Sequence, residues 1–261
     1  MTHVTGHSSL DDIVDRFAAV SLENLDDIAA LQARVDRKYV VNVEQACKLL
    51  CTQIDRLESL DIKGQRLFEY RSTYFDTDDL LSYRTTAHGQ RKRFKIRTRQ
   101  YLDNDARFLE VKTRGCRDET IKTRMPCSDS DVDQLGPEYA LFIREVLEGS
   151  VDVAALSPKV STSYRRLNLL ERNTNSRVTV DVNLAFENMV GLVQRFDSIV
   201  IIETKSPCAP TEIDRALWAQ GVRPIRISKF GIAMALMNDG LAANRWNRVL
   251  RSHFGWEPVS L

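Results

Sequence analysis

The stretch RKRFKIRTRQY, residues 91–101, decides how this part of the chain folds. Cationic side chains occupy every second position, and Phe94 and Ile96 stand at alternate ones. Because residues two apart in a β-strand share a face, this period predicts a strand with one cationic and one largely apolar face. The cationic row would be about 27 Å long at the rise of a strand. Its predicted members are Arg91, Arg93, Lys95, Arg97 and Arg99.

The same alternation recurs in other predicted strands. Pairs that would share a face are Asp36 with Lys38, Glu110 with Lys112, Lys122 with Arg124, and Glu203 with Lys205. The opposite faces carry apolar residues such as Leu109, Val111 and Ile121. If helices cover those apolar faces, the charged faces must point into a polar barrel lumen.

About eight such strands with short connections and peripheral helices predict an α+β fold, built on a closed antiparallel β-barrel. We expect an N-terminal helical segment over residues 1–30, the barrel over 31–240 and a C-terminal helical tail over 241–261. Within the first segment, LDDIVDRFAAV after Ser9 predicts an N-capped helix that continues to Val20.

Bulk composition narrows the class of protein. Lys and Arg total 37 against 36 Asp and Glu, so the chain is not a polycation that coats nucleic acid. No run of about 18 apolar residues is present, and the N-terminus lacks the pattern of a secretory signal. Five scattered cysteines without a C-x-x-C fit a reducing compartment, so we expect a cytoplasmic protein.

A lumen lined with Lys and Arg would repel itself unless carboxylates or a bound polyanion balanced it. Arg forks bind phosphoryl oxygens in pairs, Lys acts as a point charge, and Mg²⁺ or Mn²⁺ takes carboxylate oxygen. The pattern therefore indicates a site for a nucleoside triphosphate or polyphosphate, with a divalent metal.

Nine short motifs, in order along the chain, indicate which family the chain resembles. They are RKYVV (37–41), STYFDT (72–77), RFKIRTRQY (93–101), FLEVKTR (108–114), IKTR (121–124), SYRR (163–166), RVTVDVNL (177–184), IIETKS (201–206) and ISKFGIA (227–233). Together they resemble the vacuolar transporter chaperone (VTC) domain, the polyphosphate polymerase branch of the triphosphate tunnel metalloenzymes. The resemblance covers roughly residues 30 to 240.

The resemblance implies a CYTH-like β-tunnel and a metal-dependent transferase, in which the γ-phosphoryl group of ATP joins the end of a growing polyphosphate chain. Phosphate ligands carried over by matching motif are Lys38, Arg97, Arg99, Lys112, Lys122, Arg124 and Lys229. Glu203 would be the principal metal ligand, and Glu110 would bind metal or orient a cation. Further substrate-binding candidates are Arg93, Lys95, Arg166, Lys205 and Ser228. Ser228 also fits an ordinary helix cap.

Some positions depart from the family pattern. The first strand of the wider superfamily supplies metal ligands, but Arg34, Asp36 and Lys38 here leave one acid. Ser161 stands where eukaryotic polymerases of the family have an Arg, so either Arg166 or Arg165 substitutes for it or one phosphate subsite is weaker.

Asp181 shares a strand face with Arg177, and a salt bridge between these two is the plainest expectation. STYFDT is expected to serve packing, because its aromatic residues are typical of a core.

Three other functions stay open at this stage. The same tunnel could hydrolyse triphosphate or short polyphosphate, or bind polyphosphate or nucleotide without catalysis. The basic, aromatic stretch 91–101 could bind nucleic acid, although near-zero net charge and the repeated Glu-x-Lys strands count against this. The resemblance also implies a separate membrane-protein partner, which would place the chain at the inner face of a membrane.

Overall fold

The computed structural model describes residues 10–28, 35–115, 119–128, 135–207 and 209–257. The chain divides into two compact units. Unit 1 comprises Met1–Phe68, Arg165–Leu184 and Asp197–Arg226. Unit 2 comprises Glu69–Tyr164, Ala185–Phe196 and Ile227–Leu261.

Short α-helices and β-strands make up the described chain. The helices are α1 (Leu10–Val14), α2 (Leu22–Ile28), α3 (Val43–Cys51), α4 (Leu81–Ala87), α5 (Pro137–Val146), α6 (Glu212–Ala219), α7 (Lys229–Met237) and α8 (Asn247–His253). The strands are β1 (Ala18–Val20), β2 (Val35–Asn42), β3 (Leu57–Leu60), β4 (Leu67–Asp76), β5 (Lys95–Tyr101), β6 (Ala106–Arg114), β7 (Thr120–Pro126), β8 (Ser157–Glu171), β9 (Ser176–Asn188), β10 (Val193–Phe196) and β11 (Ile199–Ser206).

The strands pair in the order β2-β11-β9-β8-β4-β5-β6-β7, with β1, β3 and β10 attached beside this path. The pairs β2–β11, β9–β11, β4–β5, β5–β6 and β6–β7 are antiparallel. The predicted α+β fold, a large antiparallel sheet with peripheral helices, is confirmed. Hydrogen bonds between the described strands do not close this sheet into a ring, because the path ends at β2 and β7.

Unit 1 has its own apolar core. Tyr39, Val41, Val200 and Ile202 on one face of β2 and β11 pack with residues of α1, α3 and α6. Asn42 begins α3 with a capping box, because its side chain accepts the Gln45 N–H and the Gln45 side chain accepts the Asn42 N–H. Alternate residues of the same strands, Lys38 and Glu203 among them, therefore lie on the opposite face.

Unit 2 contains a second core behind β5 and β6. Ile96, Leu109 and Val111 pack with Tyr139 and Ile143 of α5. This confirms that a helix covers the apolar face of the strand quoted above. Ile121 is the exception, since 45% of its surface is exposed.

Two predicted boundaries are wrong. The helix predicted up to Val20 ends at Val14, and residues 18–20 form β1, which pairs in parallel with β3. The strand predicted from Arg91 begins at Lys95, because the preceding residues belong to a turn in which Arg93 donates to the carbonyls of Gly89 and Gln90.

No helix in the described part of the chain is long and apolar enough to cross a membrane.

Candidate functional site

Strands β5, β6 and β7 present a dense set of charges on the side opposite α5. In the strand register Lys95 lies opposite Lys112, and Lys112 lies opposite Lys122. One row further along, Arg97, Glu110 and Arg124 lie side by side in the same way. We call this surface the cationic face, and its members are Lys95, Arg97, Arg99, Glu110, Lys112, Lys122 and Arg124.

Glu110 is the carboxylate at the centre of the cationic face. Its side chain is fully buried, and its Oε2 accepts bonds from Nε and Nη2 of Arg97 at 2.8 and 2.5 Å. The Lys122 Nζ lies 3.4 Å from its Oε1. Burial alone would raise the pKa of Glu110, but the charges of Arg97, Arg99, Lys112 and Lys122 hold it well below its usual range. Glu110 is therefore ionised and fixes the guanidinium of Arg97.

Tyrosine and serine hydroxyls from other strands accept hydrogen bonds from Arg97 and Arg99. The Arg97 Nη1 donates to the Tyr74 hydroxyl at 3.0 Å. Arg99 donates to the Ser72 hydroxyl at 3.3 Å and to the Tyr164 hydroxyl at 2.8 Å. Tyr74 and Ser72 belong to the STYFDT motif, for which packing was expected. Phe75 of this motif does pack in the second core, and the two hydroxyls orient the arginines in addition.

Lys229 and Ser228 stand at the start of α7. The Ser228 side chain accepts the Gly231 N–H at 3.0 Å, so Ser228 is the N-cap of this helix. The Lys229 Nζ lies 4.3 Å from the centre of the Tyr164 ring. Because Tyr164 also bonds Arg99, the structure brings Lys229 to the cationic face through this tyrosine.

The row of five cations predicted for residues 91–99 is shorter in the structure. Lys95, Arg97 and Arg99 lie within β5, whereas Arg91 and Arg93 precede it. Arg93 contacts backbone carbonyls of its own turn. The structure therefore does not place Arg93 in the row formed by the β5 cations.

Unit 1 carries a second charged group, on the face of β2 and β11 opposite its core. The Lys38 Nζ donates to the Glu203 Oε1 at 2.7 Å, and the Lys205 Nζ lies 3.9 Å from the same oxygen. Burial opposes the ionised form of Glu203, yet Lys205, Lys38 and Arg166 hold its pKa well below the usual range. Burial alone would lower the pKa of Lys38, but the charge of Glu203 keeps this pKa above its ordinary value. We call Lys38, Arg166, Asp181, Glu203 and Lys205 the Glu203 cluster.

Arg166 is held by a carboxylate from the next strand. Its Nε and Nη2 donate to the two oxygens of Asp181 at 2.6 and 2.8 Å. Asp181 therefore forms a bidentate ion pair across strands with Arg166, a partner that the expected pairing with Arg177 did not include. Arg165 does not join the cluster, because it donates to Asp11 at 2.8 Å.

Ser161 and Asp36 are positions at which the sequence departs from the family pattern, and the structure gives the surroundings of both. The Ser161 hydroxyl lies 3.0 Å from that of Thr73 in a buried contact. Asp36 lies opposite Lys205 in the register of β2 and β11, and Arg34 falls outside the described residues.

A buried carboxylate supports the Glu203 cluster from behind. Asp214 of α6 accepts hydrogen bonds from the hydroxyls of Tyr39 and Thr204, both at 2.7 Å. These two residues neighbour Lys38 and Glu203 along their strands. Asp214 thus fixes the backbone that positions the Lys38–Glu203 pair, and sequence patterns give no sign of it.

The carboxylates of the two charged groups could hold a divalent metal only together with substrate phosphates and water. In the part of the chain that the structure describes, no group of three or more His, Cys, Asp or Glu side chains could hold a metal ion. Mg²⁺ and similar ions are, however, often held by one or two carboxylates together with substrate phosphates and water. Glu203, of which 14% is exposed, could supply one such carboxylate.

The chemistry that these side chains offer is the binding of phosphoryl groups. Arginine forks and lysine ammonium groups stand on rigid strands, and tyrosines and carboxylates fix their orientation. Among the described residues of either charged group there is no cysteine, histidine or hydroxyl arranged with a base as a nucleophile.

We compared the chain with models of known families and with curated proteins. The family model for the VTC domain matches residues 33–238. No curated protein matches the chain.

Three solved structures illustrate what the fold is similar to. A candidate adenylate cyclase from Bacillus halodurans has 14% identity and a TM-score of 0.45, with 88% of this chain and 93% of that chain covered. A candidate adenylyl cyclase from Hippeastrum, described as having a dominant triphosphatase activity, has 14% identity and a TM-score of 0.43 over 77% and 94%. The PH1819 protein from Pyrococcus horikoshii has 11% identity and a TM-score of 0.43 over 76% and 97%.

Proposed function

The chain belongs to the VTC domain family, and from this premise we propose that it is an ATP:polyphosphate phosphotransferase. It transfers the γ-phosphoryl group of ATP to the end of an inorganic polyphosphate chain and releases ADP. One observation carries the proposal, namely the cationic face, where six cationic side chains surround a single carboxylate.

The charge balance of that face supports a polyanionic ligand. Glu110 offsets Arg97 through two hydrogen bonds and reaches Lys122 at 3.4 Å. Six of the seven members of the face are cations, and like charges on one face destabilise each other. A polyphosphate chain repeats its negative charges along one line, so it matches cations repeated along neighbouring strands.

Each side chain has a task in this proposal. Arg97 and Arg99, held by Glu110, Tyr74 and Tyr164, bind phosphoryl oxygens in a fixed geometry. The lysines of the face, Lys95, Lys112 and Lys122, bind as point charges. Within unit 1, Lys38, Lys205 and Arg166 also bind phosphoryl oxygens. Glu203 would hold the divalent ion, Mn²⁺ or Mg²⁺, together with substrate phosphates. When bound, that ion offsets charge on the phosphoryl group and orients its oxygens.

The test is a synthesis assay with ATP and either Mn²⁺ or Mg²⁺, in which ADP is measured and polyphosphate is separated on a gel. We expect polymer and ADP to appear together, and polymer to be absent for Glu203→Gln. Glu44→Gln is the matched control, because Glu44 forms an exposed pair with Lys48 in the same unit.

Two results would contradict the proposal in different ways. Free phosphate without polymer would make the protein a hydrolase of triphosphate or polyphosphate. Tight polyphosphate binding with no turnover, unaffected by Glu203→Gln, would make it a binding module without catalysis.

A further inference from the structure

The cationic face changes character along its strands. Residues paired across β4, β5 and β6 form rows, which follow one another at about 7 Å along the strand direction. From one end to the other the rows contain Tyr70 and Tyr101, then Ser72, Arg99 and Phe108, then Tyr74, Arg97 and Glu110, then Lys95 and Lys112. One end of the face is therefore aromatic, and the other end, about 20 Å away, consists of lysines.

The aromatic end is a connected set of rings. Tyr101 lies 5.0 Å from Tyr70 and meets Phe108 edge to face at 5.9 Å, measured between ring centres. Tyr70 in turn stacks on Tyr164 at 5.4 Å with an angle of 9° between the rings. Tyr70 and Tyr164 are buried, whereas Tyr101 and Phe108 are only half-buried. The two outer rings thus keep a surface that an incoming group can reach.

A cation extends this surface outward. The Arg124 guanidinium lies over the Phe108 ring, 4.8 Å from its centre, and Arg124 is exposed. Guanidinium planes and aromatic rings both stack on nucleobases. The half-buried rings and the exposed guanidinium therefore offer stacking surfaces beside Arg99, which belongs to the phosphate-binding part of the face.

Ordinary core packing explains the buried rings but not the outer ones. On the other side of β5 and β6, α5 covers Ile96 and Val111 completely. Tyr101 and Phe108 have no such complete cover in the described residues. Half-buried rings beside arginines fit a ligand that combines a flat base with a phosphate chain.

We propose that the aromatic end, with Tyr101, Phe108 and Arg124, binds the nucleoside of the triphosphate donor. The phosphates then run from Arg99 past Arg97 towards Lys95, Lys112 and Lys122. This inference rests on the proposed function, because it assigns one end of the same face. It makes Phe108 and Tyr101 determinants of the choice between ATP and an inorganic triphosphate.

The experiment compares ligands with and without a base. Dissociation constants of ATP and of inorganic tripolyphosphate are measured by calorimetry for the full chain, for Phe108→Leu and for Tyr101→Leu. We expect each substitution to weaken ATP binding by about fivefold or more, the effect of losing one base–aromatic stack. Tripolyphosphate binding should stay within about twofold, because the phosphate ligands remain.

Phe142→Leu is the matched control, since Phe142 is a partly buried ring that packs against the second core on the α5 side. It should leave both dissociation constants unchanged. A second measurement needs no variant: bound etheno-ATP should show the high fluorescence anisotropy of an immobilised base. A freely rotating etheno base on a protein that retains its phosphates would overturn the assignment.

The outcomes separate this inference from the proposed function. If the wild type binds both ligands and the substitutions change both constants equally, or neither, the nucleoside lies elsewhere and the phosphate site stands. If the wild type binds neither ligand, the proposed function fails, and the nucleoside assignment fails with it.

Discussion

Glu110→Gln tests whether one buried carboxylate holds the arginines of the cationic face. The side chain of Glu110 is fully buried, and that of Arg97 is 9% exposed. Glutamine has nearly the same shape and keeps one acceptor oxygen, but it removes the charge that balances Arg97 and Lys122. The substitution therefore leaves a buried cation without its counter-ion.

The expected cost follows from that burial. Removing one partner of a buried ion pair costs about 3–5 kcal/mol. We expect the lower end for glutamine, a loss of about 3 kcal/mol in the free energy of unfolding. The control is Glu187→Gln in the same unit, because Glu187 and Arg71 are 39% and 42% exposed and 3.4 Å apart. Exposed pairs of this kind contribute less than about 1 kcal/mol.

Acidification should reduce the contribution of the Glu110 charge to the free energy of unfolding. The pKa of Glu110 is lower in the folded protein than the value of about 4.3 in an unfolded chain. A carboxyl group whose pKa falls on folding stabilises the fold fully above its unfolded pKa, and this contribution is lost as the pH falls. The difference in stability between the wild type and Glu110→Gln should therefore be constant near pH 7 and shrink below about pH 4.

Urea unfolding followed by circular dichroism at about pH 7, 4 and 3, without phosphate, measures these differences. A Glu110→Gln variant as stable as Glu187→Gln at pH 7 would show that Glu110 does not balance a buried cation. A loss of stability that does not change on acidification would show that the charge of Glu110 contributes nothing.

Two further substitutions test the packing around the site. Gly231→Ala places a Cβ atom 2.4 Å from the Trp246 ring, so it should lower the free energy of unfolding by about 1–3 kcal/mol in the same urea series. Tyr39→Phe removes a donor to the buried Asp214 carboxylate and should cost about 1–3 kcal/mol. A Tyr39→Phe variant with wild-type stability would show that Asp214 is satisfied without this hydroxyl.

Side-chain alternation predicted which residues share a face, and the strand register confirms it for the pairs Glu110 with Lys112 and Glu203 with Lys205. Alternation did not predict where β5 begins. Arg93 fits the period as well as Lys95 does, but its guanidinium donates to the carbonyls of the preceding turn. Local turn contacts decide such a boundary, and a two-residue period carries no information about them.

Contacts between strands were the part that the sequence could not supply. Asp181 and Arg177 lie four residues apart on one strand, which is about 13 Å. Directly opposed residues on neighbouring strands are only about 5 Å apart. Cross-strand partners are therefore closer than same-strand ones, as Arg166 with Asp181 shows. Because these contacts also cross between strands, the sequence did not reveal Tyr74 and Tyr164, whose hydroxyls reach Arg97 and Arg99.

The two glutamates that the sequence put forward for metal differ in what binding would require. Both oxygens of Glu110 face cations that are already in place, and its side chain has no exposed surface. A metal ion at Glu110 would have to displace a bidentate arginine from a buried setting. Glu203 instead contacts two flexible lysines, of which 29% and 21% are exposed. Because those ammonium groups can turn to incoming phosphates, Glu203 rather than Glu110 is the carboxylate that would hold the metal in the proposed function.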